Sequence, residues 1–342
     1  MTGFPHRAMP DAIIQTHDLT IGYANRKATY PVQIRLSLEV FQGEMVCLIG
    51  PNGCGKSTLL RTIAGLQPAL RGEVRIDNLP LGKQSLLNKA RLLSLVLTDR
   101  VEVSNLTVFN LVATGRNPYT DWLGKLTDHD KELVHTALTQ VHLEGYANRF
   151  INELSDGERQ RAMIAKALVQ DTPVILLDEP TAHLDINNRV EVMMLLHELA
   201  RRTNKAIVLS THELDLALQT ADKLWLMTPK HGIAVGTPED LILTNRFQKV
   251  FANNSYRFDS FTGNFMVNHA ETPRLVSLKT LGTGNRTYWT QRALARNGYQ
   301  ISPNAPAMIT VDEAADSWLI SKDGKELICS SLQDLLLQME SL

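Results

Sequence analysis

The nonapeptide Gly50-Pro51-Asn52-Gly53-Cys54-Gly55-Lys56-Ser57-Thr58 constrains this chain more than any other feature. It follows a continuous apolar run, Met45 to Ile49, and leads into a stretch of helical spacing, Lys56 to Leu66. Strand, glycine-rich turn and helix are the context that gives a G-x-x-x-x-G-K-[ST] pattern its meaning. Gly50, Gly53 and Gly55 let the backbone bend so that several amide N–H groups face an anion. The helix adds the partial positive charge of its N-terminus. In such a loop Lys56 holds the β- and γ-phosphates of a nucleotide and Ser57 offers a hydroxyl to Mg²⁺. The expected ligand is a nucleoside triphosphate, and all nine residues are candidates to cradle it, Cys54 as a small residue in a tight loop.

Downstream, Val174 to Leu177 form an apolar strand ending in Asp178 and Glu179. After a phosphate loop, Asp178 suits a Mg²⁺ ligand and Glu179 a general base for the attacking water. Between them lies Leu154-Ser155-Asp156-Gly157-Glu158, at the start of a helical stretch. Taken alone, Ser155 and Glu158 read equally as a capping box. Strands expected at Ala206–Leu209 and Leu224–Met227 alternate with helices at Glu158–Val169 and Arg189–Arg202, the pattern of an α/β domain with a largely parallel sheet.

Composition narrows the class. Lys and Arg total 35 against 36 Asp and Glu, so no bulk charge favours nucleic acid or an anionic membrane. No apolar run approaches the length of a membrane span, and Met1 to Asp11 lacks the apolar core of a signal peptide. Three cysteines are too few for a disulfide framework, which fits a reducing cytosol. The 342 residues suggest about two domains.

Together the motifs resemble those of the ATP-binding cassette (ABC) ATPases, over roughly residues 12–250. Gly50 to Thr58 matches Walker A, Leu154 to Glu158 the LSGGQ signature (with Asp156 and Glu158 departing from it), and Asp178-Glu179 matches Walker B with its catalytic glutamate. Ala182-His183-Leu184-Asp185 resembles the D-loop, Ser210-Thr211-His212 places His212 as the switch histidine, and Tyr23 matches the aromatic that stacks on adenine. The resemblance implies an α/β fold: a parallel-sheet core, an antiparallel β subdomain and a helical subdomain at about 98–170, the last also suggested by helical segments with polar joints between about Leu97 and Asn152. It implies ATP and Mg²⁺ as ligands, with Glu179, His212 and Lys56 catalytic. It also implies head-to-tail closure, as a homodimer or beside another cassette, in which Ser155 and Gly157 cover the γ-phosphate held by the opposite chain, and it assigns Asp185 of the D-loop to the nucleotide site. The family's usual Gln before the helical subdomain is missing. Leu95-Val96-Leu97 runs into Thr98-Asp99, and Thr98 is the candidate at that metal position, through a bridging water.

Val108 to Trp122, with Thr114-Gly115-Arg116-Asn117-Pro118-Tyr119, resembles the segment of iron–siderophore, haem and cobalamin importer ATPases that faces the permease. That implies separate transmembrane permease subunits at the cytoplasmic face of the cell membrane, and indirectly a substrate-binding protein. A single-cassette exporter ATPase and a non-transport ABC ATPase share the core motifs. Residues 256–342 read as a small C-terminal α+β accessory domain: new structure beginning at Leu275–Leu278, a helix at Thr287–Asn297, a hairpin across Lys322-Asp323-Gly324 and a closing helix at Ser331–Met339. In the N-terminal part, Ile34, Leu36, Leu38 and Val40 alternate with polar residues and predict one half-buried strand.

Overall fold

The apolar run before the phosphate loop becomes the centre of the molecule's main sheet. A computed structural model describes residues 11–97, 105–122, 124–228, 232–251, 256–260, 263–267 and 274–341. The chain divides into two compact units, residues 1–251 and 252–342.

In the first unit, β4 (Met45–Ile49) is buried at every residue, as a strand covered on both faces must be. It pairs in parallel with β9 (Ala206–Ser210), which pairs with β8 (Val174–Asp178), and that with β7 (Leu93–Val96). On its other side lies β10 (Lys223–Thr228), followed by antiparallel β11 (Gly232–Gly236). A second, antiparallel sheet contains β1 (Ile14–Ala24), β2 (Thr29–Leu36), β3 (Glu39–Val40), β5 (Arg71–Ile76) and β6 (Leu79–Pro80). Leu19, Ile21 and Ile76 from this sheet share one core with Val46, Leu48 and Trp225 of the main sheet, and with Leu59 and Ile63 of α1 (Lys56–Ile63). Each fully buried aliphatic side chain there contributes roughly 1.5–3 kcal/mol.

The single strand expected across Ile34 to Val40 is broken. Arg35 has φ +53°, which interrupts the pleat, and β2 ends one residue later. Leu36, Leu38 and Val40 stay in the core, whereas Ile34 faces out and Gln33 is buried instead.

The helices expected at Glu158–Val169 and Arg189–Arg202 are present, each as part of a longer helix. α2 (Leu86–Leu92) precedes β7, and the helical segment contains α3 (Val108–Ala113), a 3-10 stretch Thr114–Tyr119, α4 (Asp128–Gln140) and α5 (Asp156–Val169). α6 (Ile186–Thr203), α7 (Leu214–Thr220), α8 (Pro238–Leu243) and α9 (Arg246–Phe251) complete the unit.

In the second unit, β12 (Tyr256–Asp259) and β13 (Asn264–Val267) form a hairpin in which Phe265 packs edge-on against Tyr256 and Phe258. Five further strands, β14 (Arg274–Leu281), β15 (Tyr299–Ile301), β16 (Ala307–Asp312), β17 (Ser317–Lys322) and β18 (Lys325–Cys329), make a sheet in the order β15-β14-β16-β17-β18. The β17–β18 turn uses Asp323 and Gly324, both at positive φ, the geometry that two-residue hairpins prefer. Leu294 of α10 (Arg286–Arg296) and Leu335 of α11 (Leu332–Ser341) meet Val276, Ile309 and Trp318 in a separate core.

One buried ion pair ties the helical segment together. Arg116 Nε donates to Asp130 Oδ1 at 2.8 Å, and its Nη1 donates to the carbonyl of Val169 at the end of α5 at 3.0 Å. The Thr127 hydroxyl and its backbone N–H, together with the Arg116 guanidinium, hold Asp130 down at about 2. An ordinary aspartate titrates near 3.8, so the stabilisation is complete above about pH 4 and is lost as pH falls towards 2. Removing one partner leaves a buried charge uncompensated. Arg116→Leu should lower the unfolding free energy by about 3 kcal/mol in denaturant titration; a loss below about 1 kcal/mol would show the pair to be dispensable.

Candidate functional site

Three carboxy-terminal strand ends lie side by side because of the main sheet's register. Leu48 of β4 stands opposite Ser210 of β9, and Ser210 stands opposite Asp178 of β8. The loop after β4 therefore shares one edge with Asp178, Glu179 and His212.

The loop itself is shaped by close approaches. Gly55 caps α1 with φ +104°, and a Cβ there would press on the Val32 side chain. Lys56 is buried, and its ammonium donates to the carbonyls of Gly50 (2.8 Å) and Pro51 (3.3 Å), so it is held within the loop. Asn52 and Gly53 are exposed at the loop's crest, while Cys54 points inward and burial pushes its thiol above the usual range, leaving it protonated. Gln33 supports the loop from β2, its Nε2 donating to the Cys54 carbonyl at 3.2 Å. Sequence reasoning missed Gln33, because it sits in the strand whose alternation Arg35 breaks. Tyr23, at the end of β1, is more than half exposed, and its hydroxyl lies 2.9 Å from Thr58 Oγ1, which sets the ring at the rim of the loop.

Ser57 Oγ donates to Asp178 Oδ1 at 3.2 Å. Two neighbouring ligands of an octahedral Mg²⁺ with bonds of about 2.1 Å stand about 3 Å apart, so a hydroxyl and a carboxylate at this separation fit that ion. Both are hard oxygen donors, and Mg²⁺ at phosphate sites needs only one or two protein ligands. Thr98, the other candidate at the metal, lies outside the described residues. Glu179 follows Asp178 with φ +50°, an unusual conformation for a residue other than glycine, and its Oε1 lies 2.9 Å from His212 Nε2. Both side chains are partly exposed, so a water can reach them.

Ser155, Gly157 and Asp185 gather around a second set of contacts. Ser155 caps α5 in a complete capping box: its Oγ accepts from the Glu158 N–H and its own N–H donates to Glu158 Oε2. That backbone donor, first among its partners, lowers the Glu158 pKa. The local capping role and exposure at a helix N-terminus thus coexist. Asp185 caps α6, accepting at 2.9 Å from both the backbone N–H and the Nδ2 of Asn188, which lower its pKa. Asn188 in turn lies on Gly157, leaving no room for a Cβ at that position. Arg189 continues the connection, donating to the Leu184 carbonyl at 2.7 Å and pairing with Glu213 at 2.8 Å, next to His212. Neither Asn188 nor Arg189 was legible in the sequence, since the packing of α6 against Gly157 of α5 brings in the first and its approach to the Glu213 segment the second.

On the helical segment, Trp122 is 91% exposed. Tyr119 is clamped, with the Arg116 guanidinium 4.1 Å and the Arg91 guanidinium 5.2 Å from its ring centre.

A P-loop nucleotide hydrolase is the class that this fold and strand-end arrangement define. The family model for ABC transporters matches residues 34–182, and that for the iron ABC transporter C-terminal domain matches residues 274–340. An uncharacterized ABC transporter ATP-binding protein of Methanocaldococcus jannaschii is 36% identical over 84% of this chain and 98% of its own length. The chain belongs to the ABC family of ATP-binding, ATP-hydrolysing transport subunits. It is similar to the petrobactin import ATP-binding protein FpuD of Bacillus anthracis, 38% identical over 70% of this chain and 86% of that protein. It is similar as well to the ferric enterobactin transport ATP-binding protein FepC of Escherichia coli, 32% identical over 70% and 87%. Among solved structures, a dimeric ATP-binding cassette bound to ADP and Pi after hydrolysis has a TM-score of 0.57 and 25% identity, over 66% of this chain and 98% of that one.

The contact between Asn188 and Gly157 makes a defined test. Gly157→Ala should cost more than about 1 kcal/mol of stability, and most of that cost should disappear in an Asn188→Ala background. Thermal unfolding of the four chains measures it; equal costs in both backgrounds would contradict the contact.

Proposed function

We propose that this chain is the ATPase subunit of a ferric-siderophore importer, which closes as a head-to-tail dimer on two ATP molecules and drives a separate permease at the cytoplasmic face of the membrane. The observation that carries the chemistry is the common edge shared by the phosphate loop, the Asp178–Glu179 strand end and His212. The petrobactin and ferric enterobactin relatives, with the iron-transport family match of the second unit, support the substrate class over haem or cobalamin. Among the described residues no helix is long and apolar enough to cross a membrane, so the reading needs permease subunits on other chains.

In this reading the amides at the start of α1 and the Lys56 ammonium receive the β- and γ-phosphates, Lys56 exchanging the Gly50 and Pro51 carbonyls for phosphate oxygens. Gly50 to Thr58 wrap the phosphates, and Tyr23 covers the adenine. Ser57 and Asp178 hold Mg²⁺, which when bound neutralises charge on the phosphate oxygens. Glu179 orients the attacking water and accepts its proton, while His212 holds the Glu179 carboxylate and reaches towards the γ-phosphate. Ser155 and Gly157, at the N-terminus of α5, present donors to the γ-phosphate on the opposite chain. Asp185 fixes the start of α6 beside them. Hydrolysis removes the shared phosphate and with it the contacts that hold the dimer closed.

Trp122 and the clamped Tyr119 offer the permease an exposed aromatic surface on the helical segment. Residues 256–342 are an accessory domain, and nucleotide binding belongs to residues 12–250.

Glu179→Gln separates binding from hydrolysis. It should bind ATP normally, release phosphate about 10²–10⁴-fold more slowly, and run as a dimer with ATP in size-exclusion chromatography. Captured from native membranes in that state, it should bring polytopic permease subunits with it. Recovery of ribosomal or other soluble partners alone would contradict the importer reading.

A further inference from the structure

One hydroxyl touches both carboxylate-bearing residues of the strand end. Ser210, the last residue of β9, is fully buried. Its Oγ donates to Asp178 Oδ1 at 2.6 Å and accepts from the Glu179 backbone N–H at 3.0 Å. The first bond has the short length of a charge-assisted contact. The second reaches the residue whose φ of +50° turns the chain sharply after β8. A serine hydroxyl has a single proton, so donation to Asp178 fixes its orientation and aims a lone pair at the Glu179 N–H. Its backbone is fixed as well, by pairing with Asp178 on one side and Leu48 on the other.

We infer that Ser210 is a positioning residue that holds the metal-binding carboxylate of Asp178 and the backbone of Glu179 in one frame, so that metal affinity and water activation depend on the same hydroxyl. The inference rests on the proposed roles of Asp178 and Glu179. When Ser57 turns its hydroxyl from Asp178 to a metal, Ser210 remains to donate to Oδ1 and keep the carboxylate plane in place. Without it, Asp178 Oδ1 loses its shortest donor and Glu179 loses the acceptor that anchors its strained turn. Thr211 and His212 follow directly, so the same strand end fixes the side chain that pairs with Glu179.

The test uses the full chain with a non-hydrolysable ATP analogue and Mn²⁺ as the probe, free Mn²⁺ being read by electron paramagnetic resonance. Ser210→Ala and the near-isosteric Ser210→Cys should each weaken Mn²⁺ binding about tenfold, the effect of losing a hydrogen bond to a buried carboxylate. Nucleotide affinity measured in EDTA should stay at the wild-type value, and Ser210→Thr, which keeps the hydroxyl, should recover Mn²⁺ affinity. Unchanged Mn²⁺ affinity in the Ala and Cys variants would overturn the inference, as would a parallel loss of metal-free nucleotide binding. Asp178→Asn separates the two levels. If it abolishes Mn²⁺ binding while the Ser210 variants do not, only the positioning role fails; if it too leaves Mn²⁺ binding intact, the metal-site reading fails as well.

Discussion

Parallel pairing of β4, β9 and β8 is the constraint on which the rest of the site depends. Hydrogen-bond register aligns Leu48, Ser210 and Asp178, so that the phosphate loop and the acid-bearing strand end meet at one edge although more than a hundred residues separate them in sequence. Moving β8 by a single residue would turn Asp178 to the other face of the sheet. That register is secured by burial: every residue of the three strands lies in the interior, and a slip would leave backbone donors unpaired there.

Around this frame the polar groups are used more than once. Ser57 faces Asp178 now and suits a metal later. Lys56 spends its donors on the loop's own carbonyls, which keeps a buried ammonium satisfied and held within the loop. Ser155 both caps a helix and stands at its exposed N-terminus. Asp185, Asn188 and Arg189 connect the start of α6 to Gly157 on one side and to the Glu213 segment on the other. The start of α5 and the segment after His212 thus have a physical connection within one chain.

Much of this was legible because phosphate chemistry demands certain residues in a fixed local order. Gly50 to Thr58 and the hairpin at Asp323-Gly324 need only neighbours in sequence to be recognised, and Asp178-Glu179 gains its meaning once that loop is found upstream. Gln33, Asn188 and the role of Ser210 were hidden for the opposite reason, since each acts across elements whose register or packing no local pattern records. Arg35 adds a different failure: a left-handed residue inside an alternating stretch reverses which side chain is buried, so Ile34 was assigned to the core that Gln33 helps to form. In the second unit the helix near 287–297, the hairpin at Asp323-Gly324 and the closing helix could be read from turns and apolar spacing, whereas β12, β13, β15 and β16 could not, and its sequence contains no chemical motif from which a role follows.

A nucleotide site shared between two chains is the central claim, and complementation tests it directly. Lys56→Ala removes the phosphate loop's ammonium, and Ser155→Arg blocks the signature face. Each variant alone should be inactive in a phosphate-release assay while keeping its folded state by thermal unfolding. Mixed, they form heterodimers with one site built from an intact loop and an intact signature, and activity should return. If the mixture stays as inactive as its components, each chain hydrolyses ATP within its own boundaries and the head-to-tail account is wrong.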